Sequence, residues 1–367
     1  QWQPAMSNPD VIVIGGGLAG LTCARELHRH GRSFLLIEAS DRVGGRVRTD
    51  TLDGFTLDRG FQVLLSAYPE TKQALDYEAL DLQAFHDGAL IRYDGSFHRI
   101  SDPFRHPFSA PGTLIAPIGT LSDKLRVGRL RMQLRRESLS TLLIREETTT
   151  IDALRHRWGF SDRMIDRFFR PFFGGIFFDT ALQASSRMFE FVFKMFAEGQ
   201  AVLPSAGMEA LPRQMATDVP ASAFRMNTTA TAVDEQRVVL DDGTALEAPA
   251  VVVATDAPAA QQLIGDIQPT DARSTTCLYY AAENSPLDAP LLVLNGDGDG
   301  PINNLCVPSD VAPSYAPEGK ALISVVVIGS PAEDDAALEQ QVRRQLIDWF
   351  GPSVELWNHL RTYRIPY

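Results

Sequence analysis

Residues 10–49 read DVIVIGGGLAGLTCARELHRHGRSFLLIEASDRVGGRVRT, and this stretch decides the fold. Val11, Ile12, Val13 and Ile14 form a continuous apolar, β-branched run, the pattern of a strand buried on both faces of a parallel sheet. Gly15, Gly17 and Gly20 then spell G-x-G-x-x-G at a strand-to-helix junction. Gly15 permits the tight turn, Gly17 lets a pyrophosphate approach the backbone, and Gly20 lets the helix pack on the strand. The helix predicted over residues 18–30 aims its free N–H groups and positive dipole end at phosphate, and Gly31 is placed to end it. A second apolar strand over 34–37 finishes at Glu38, about 20 residues beyond the glycines, where a carboxylate can accept ribose hydroxyls. A lone glycine turn is a weak signal. With its strand, helix, second strand and terminal acid, this one reads as a dinucleotide site.

Glu38 disfavours NADP, because its carboxylate would repel a 2′-phosphate. The residues just after it separate NAD from FAD. Arg42-Val43-Gly44-Gly45-Arg46 sets two glycines between two arginines. The glycines allow close approach to a diphosphate, the arginines can donate charge-assisted hydrogen bonds to it, and a nicotinamide site requires neither. The combined run resembles the superfamily of flavin-containing amine oxidases, phytoene desaturases and protoporphyrinogen oxidases. That resemblance implies an α/β chain, with a Rossmann-type FAD-binding domain and a second, α+β substrate domain. It implies FAD, bound without a covalent link, as cofactor. Gly15, Gly17, Leu18, Ala19, Gly20, Glu38 and Ala39 would lie on the nucleotide, and Arg42, Gly44, Gly45 and Arg46 along the diphosphate and flavin. More loosely, it places Gly60, Phe61 and Gln62 beside the flavin, Val233 at the adenine, and Ala254 and Thr255 at a strand end near the cofactor.

Length and composition bound the rest. A chain of 367 residues exceeds one ordinary core, so two domains are expected. The expected partition is a discontinuous FAD-binding domain over 8–75 and 200–262, and a substrate domain over 76–199 and 263–367. No apolar run approaches the roughly 18 residues that span a bilayer. A net charge of −12 leaves no broad basic field for nucleic acid. Cys23, Cys277 and Cys306 form no CxxC and make an odd count, so neither a zinc site nor a disulfide framework is indicated, and a reducing cytoplasm is expected. Residues 1–5 lack the charged and apolar regions of a signal peptide and read as an added leader before Met6.

Along the chain, Asp53-Gly54 and Asp94-Gly95 mark hairpins, residues 68–82 read as a helix, and the Pro- and Phe-rich segment 101–119 reads as a covering loop. Residues 121–143 are helical in pattern and carry Lys124, Arg126, Arg129, Arg131, Arg135 and Arg136. Leu121, Leu125 and Met132 form one apolar stripe, and Val127, Leu130 and Leu134 another nearly opposite. Two stripes favour a helix wedged between protein elements; peripheral contact with anionic lipid is the alternative. Residues 164–196 hold ten of the 20 phenylalanines, broken by Arg170-Pro171 and Gly174-Gly175. They resemble the corresponding stretch of phytoene-desaturase-like proteins. Phe172, Phe173 and Phe177 are candidate walls of a pocket for a large apolar substrate, with plain core packing as the equal rival. A helix is expected to begin near Met208 after Gly207. Strands are expected over 224–233, 237–240, 245–248, 250–254, 276–282, 291–295, 321–328 and 361–367, and a helix over 334–350.

The resembling family closes with a Gly-Asp segment and a glycine-rich helix start at the flavin. The sequence reaches Tyr367 without it, which leaves truncation, a second polypeptide or degenerate flavin binding open. The implied function is hydride transfer from an isoprenoid, carotenoid or tetrapyrrole to flavin N5. The rival is a non-catalytic protein that binds a hydrophobic or isoprenylated partner. No catalytic nucleophile, acid–base pair or metal set stands out. Lysine, which commonly reaches flavin N5 through a water in the amine oxidases, occurs only at 72, 124, 194 and 320. Substrate, electron acceptor and oligomeric state stay open.

Overall fold

The computed structural model describes residues 8–101, 116–265, 268 and 272–366. The expected leader and most of the expected covering loop lie outside these. The chain divides into two compact units. One comprises Gln1–Thr49, Ala74–Asp76 and Gly207–Asp271, the other Asp50–Gln73, Tyr77–Ala206 and Ala272–Tyr367.

The first unit is built on β1 (Val11–Ile14), α1 (Leu18–Arg29) and β2 (Phe34–Ile37). β1 is central in a four-stranded parallel sheet, pairing β2 on one side and Ala250–Val253 on the other, with Phe224–Arg225 beyond β2. Alternate residues of β1 enter two cores. Val13 joins Leu21, Ala24 and Leu36 under α1, while Ile12 and Ile14 pack with Val238 and Leu240. That two-sided burial is why the run is uninterruptedly apolar. Ala230–Asp234, Arg237–Leu240 and Ala245–Glu247 form a separate antiparallel meander. Glu38 and Val233 thus share a unit.

The boundary differs from the expected partition. Residues 50–73 and 200–206 belong to the second unit, because Ala201–Pro204 is the middle strand of a sheet between Leu64–Leu65 and Leu82–Ala84. The expected helix over 68–82 is only Pro69–Ala74. At its end, Ala74–Asp76 belong to the first unit. The Ala74 carbonyl accepts from Arg25, and Asp76 exchanges two hydrogen bonds with the Gln214 side chain.

The second unit carries a seven-stranded mixed sheet in the order Asn358–Ile365, Thr275–Ala282, Ala321–Ile328, Asn304–Cys306, Leu292–Asn295, Gly88–Tyr93, Ser96–Ser101. Helix Asp335–Phe350 covers one face through Leu338, Val342, Leu346 and Trp349. Both predicted two-residue hairpins are present, with Asp53, Gly54, Asp94 and Gly95 all at positive φ, as the right-handed strand twist requires. The second core gathers the helices between residues 121 and 196 around Phe169, Phe173 and Phe189, each with no exposed surface. A π-helical turn at Ile165–Phe169 runs into helix Arg170–Phe177.

The expected single helix over 121–143 is two helices, Leu121–Arg136 and Leu139–Ile144, because Ser138 caps the second by accepting from the Thr141 N–H. Its two stripes have different fates, which corrects the wedged reading. Leu130 and Leu134 are fully buried, whereas Leu121, Leu125 and Met132 are exposed. No described helix is long and apolar enough to cross a membrane.

Candidate functional site

The site is a backbone cradle at the C-terminal end of β1. Gly15 turns the chain at φ +108°, and the Gly15 N–H donates to the Ile37 carbonyl at 2.8 Å. A Cβ on Gly15 would stand 2.8 Å from the Ala254 carbonyl oxygen, so Ala254 and Thr255 do lie against the turn. A Cβ on Gly20 would lie 1.8 Å from the Gly15 carbonyl oxygen, so its glycine is required by helix–turn packing alone. Gly17 differs. It caps α1 without a side-chain hydrogen bond, and a Cβ there would find only the Gly45 Cα, at 3.9 Å. The first-turn N–H groups of α1 have no intrahelical acceptor, and Leu18 and Ala19 in that turn are exposed.

Glu38 ends β2 with its carboxylate held over this turn. One oxygen accepts from the Gly16 N–H at 2.6 Å, the other from the Ser40 N–H at 2.9 Å and the Ser40 hydroxyl at 2.5 Å. Each oxygen retains acceptor capacity for a ligand hydroxyl. Exposed Ala39 follows.

The paired-arginine loop docks on the same turn. The Gly44 N–H donates to the Gly16 carbonyl at 2.8 Å, and a Cβ on Gly45 would approach the Gly17 Cα to 3.2 Å. Two glycine segments thus meet backbone to backbone. Arg42 and Arg46 flank that contact, the first half-buried and the second exposed.

Two residues absent from the sequence reading hold the cradle. Glu209, almost completely buried, accepts from the Thr49 N–H at 3.0 Å, pairs with Arg213 at 2.8 Å, and lies 3.5 Å from Arg42 Nε. The helix expected near Met208 starts only at Ala210, because Gly207 to Glu209 turn against Thr49. Arg48 reaches back to the Ser40 hydroxyl and donates to the Arg42 carbonyl at 2.8 Å. The one available signal was an acid isolated in the apolar string around Met208.

The remaining expected residues fall elsewhere. Val233 is half-buried in the meander of the first unit. Gly60, Phe61 and Gln62 belong to the second unit. There, Gly60 fits under Ile365, and a buried network anchors the preceding Asp58, whose carboxylate accepts from Tyr315 and whose carbonyl accepts from Tyr279. Phe173 is fully buried against Phe169, Phe172, Phe177 and Phe189, so all its surface serves the core. Phe172 and Phe177 are only partly buried.

Burial pushes the Cys277 thiol up to about 11 despite its Ser324 contact, so it is protonated at neutral pH. Among the described residues, no group of His, Cys, Asp and Glu could hold a metal.

The cradle thus fits a dinucleotide: acid at the ribose position, an open glycine at the helix start, and a second glycine loop with arginines. Comparison with known proteins agrees. The chain is 48% identical over 58 residues to lysine-specific histone demethylase 2 of Homo sapiens, covering 16% of this chain and 7% of that protein. It is 38% identical over 92 residues to putrescine oxidase of Kocuria rosea, covering 24% and 19%. These matched stretches are a small part of either relative. An oxidoreductase of Methanosarcina mazei shares the fold at a TM-score of 0.72 and 17% identity, over 97% of this chain and 88% of that one. Residues 18–366 match the family of flavin containing amine oxidoreductases, and the chain belongs to that family, with FAD as its cofactor.

Proposed function

We propose that this chain is an FAD-dependent oxidoreductase whose substrate is a large, mostly apolar molecule of isoprenoid or tetrapyrrole type. The observation that carries the reading is the docking of the Arg42–Arg46 loop on the Gly15–Gly17 turn beside an anchored Glu38. Bound FAD would supply the two-electron acceptor, taking hydride at N5. The chain's own residues would hold it: Glu38 at the ribose, and the α1 N–H groups and the arginine loop at the diphosphate.

The lysines and phenylalanines support the apolar half. Lys194 is buried and donates to the Leu134 and Arg135 carbonyls and to Glu198. Lys124 donates to the Ala116 carbonyl. Lys320 is exposed in a turn and pairs with Glu283, and Lys72 is exposed on a short helix. None has the setting of a buried amine beside a cofactor. Phe172 and Phe177 keep surface outside the core, and covering that remaining part with an apolar ligand would contribute a fraction of the roughly 1.5–3 kcal/mol of a fully buried side chain. A second reading, an amine substrate, is favoured by the similarity to putrescine oxidase over 24% of the chain.

The test has two stages. Absorbance bands near roughly 370 and 450 nm in the purified protein indicate oxidised flavin; a binding-only protein would lack them. Anaerobic flavin reduction by polyenes, porphyrinogens and small amines then separates the substrates. Phe172→Asp with Phe177→Asp is expected to abolish turnover of the apolar substrate and leave flavin bound. Rapid reduction by small amines alone would replace the apolar reading with the second one.

A further inference from the structure

The structure exposes a surface that the cofactor cradle does not use. Of the nine large hydrophobic side chains exposed among the described residues, five lie between residues 121 and 144: Leu121, Leu125, Met132, Leu143 and Ile144. Leu121 and Leu125 are 64% and 70% exposed, which no core requirement explains, since the opposite side of the same helix supplies fully buried Leu130 and Leu134. With 3.6 residues per turn, Leu121, Leu125 and Met132 fall within about 40° of one another and make one continuous outward stripe.

The charges around the stripe have a matching geometry. On the same helical period Arg129 and Arg136 flank it on one side and Arg135 on the other. All three are exposed and carry no ion pair among the described residues. The other cations of the helix are tied to protein: Lys124 donates to the Ala116 carbonyl, Arg126 pairs with Asp123, and Arg131 donates to the Ala197 carbonyl. The helix's single acid, Asp123, is fully buried on the opposite side. A purely cationic outer face therefore stands on a chain of net charge −12.

We propose that this helix, Leu121–Arg136, lies in the plane of an anionic phospholipid surface, with Leu121, Leu125 and Met132 inserted and Arg129, Arg135 and Arg136 on headgroup phosphates. An apolar stripe bordered on both sides by arginine is what an interfacial helix needs. The stripe enters the headgroup–acyl boundary, and the guanidiniums reach phosphate through long, flexible stems. The contact is peripheral, and its charged part weakens with salt. An acidic protein face would satisfy the arginines yet gives no reason for inserted leucines in a chain that already buries the other stripe.

The test is co-sedimentation of the full-length protein with vesicles of phosphatidylcholine alone or with about one third phosphatidylglycerol. Binding is expected only to the anionic vesicles, with release by high salt. Arg129→Glu, Arg135→Glu and Arg136→Glu together should weaken it on the order of a hundredfold. Leu121→Ser with Leu125→Ser should abolish it, while Arg29→Glu with Arg32→Glu, on the other unit, should leave it intact. Equal binding to neutral vesicles, or equal losses in the two arginine sets, would overturn the proposal. So would a dimer in sedimentation equilibrium that Leu121→Ser with Leu125→Ser dissolves, which would make a second copy the occupant.

Discussion

Gly17 and Gly20 occupy one motif and obey different constraints. Gly20 has no room for a methyl group, since its Cβ would overlap the Gly15 carbonyl oxygen, whereas Gly17 has negative φ and open space. Gly20→Ala is therefore expected to destabilise the first unit outright, seen as a lowered Tm with or without FAD. Gly17→Ala should fold with wild-type Tm yet lose FAD, because its methyl group occupies the phosphate approach. Equal flavin affinity in Gly17→Ala would remove the diphosphate from this turn. Glu38→Ala should cost about 1–3 kcal/mol of FAD binding, read by flavin titration, through lost charged hydrogen bonds. Glu209→Ala should lower both Tm and FAD affinity, because it removes the buried carboxylate that the Thr49 N–H and the Arg42 side chain share. Arg213→Ala removes only an exposed partner of Glu209 and should change stability by less than about 1 kcal/mol.

At the scale of elements, the helix Leu121–Arg136 shows how a terminus is secured. Thr120 and Asp123 form a reciprocal capping box, and Asp123 also accepts from the Ser161 N–H at 2.9 Å and hydroxyl at 2.6 Å. Burial alone would raise the Asp123 carboxyl, but the hydrogen bonds from Ser161 and Thr120 outweigh it and hold the group at about 2. A lowered folded-state value means that this stabilisation is complete above the unfolded value of about 4 and is lost as pH falls toward about 2. Asp123→Asn should be less stable at neutral pH and should converge with the wild type in acid denaturation near the lower limit. Parallel curves across that window would show that the carboxylate is not the linked group. The phenylalanine run belongs to this scale too. Phe168 stacks on Phe172 at 5.5 Å, and Phe173 meets Phe189 edge to face at 4.8 Å, so most of the ring surplus is consumed within the run.

For the whole molecule, FAD binding is linked to stability. A ligand held by the folded first unit and absent from the unfolded chain should stabilise by about 2.7 kcal/mol at a hundredfold excess over its Kd. Thermal unfolding across an FAD titration measures this. A Tm that ignores FAD would mean that the cradle does not close on the cofactor.

What consecutive residues encode was legible in the chain: the βαβ unit from its buried-strand run and glycine spacing, the two hairpins from Asp-Gly, and Glu38 from its place at the end of β2. Such features depend on local backbone conformation and on periodicity, which neighbouring residues state directly. Three matters needed the tertiary structure. Residues 50–73 joined the second unit because Leu64–Leu65 pairs with a strand more than a hundred positions away. Arg42 acquired Glu209 as its neighbour across a similar gap. The two apolar stripes of the basic helix were equivalent on a helical wheel until packing against helix Ser186–Glu198 buried Leu130 and Leu134 and left Leu121 and Leu125 outside. Each outcome is a choice of partner among distant residues, and local sequence carries the propensity to be paired or buried without naming the partner.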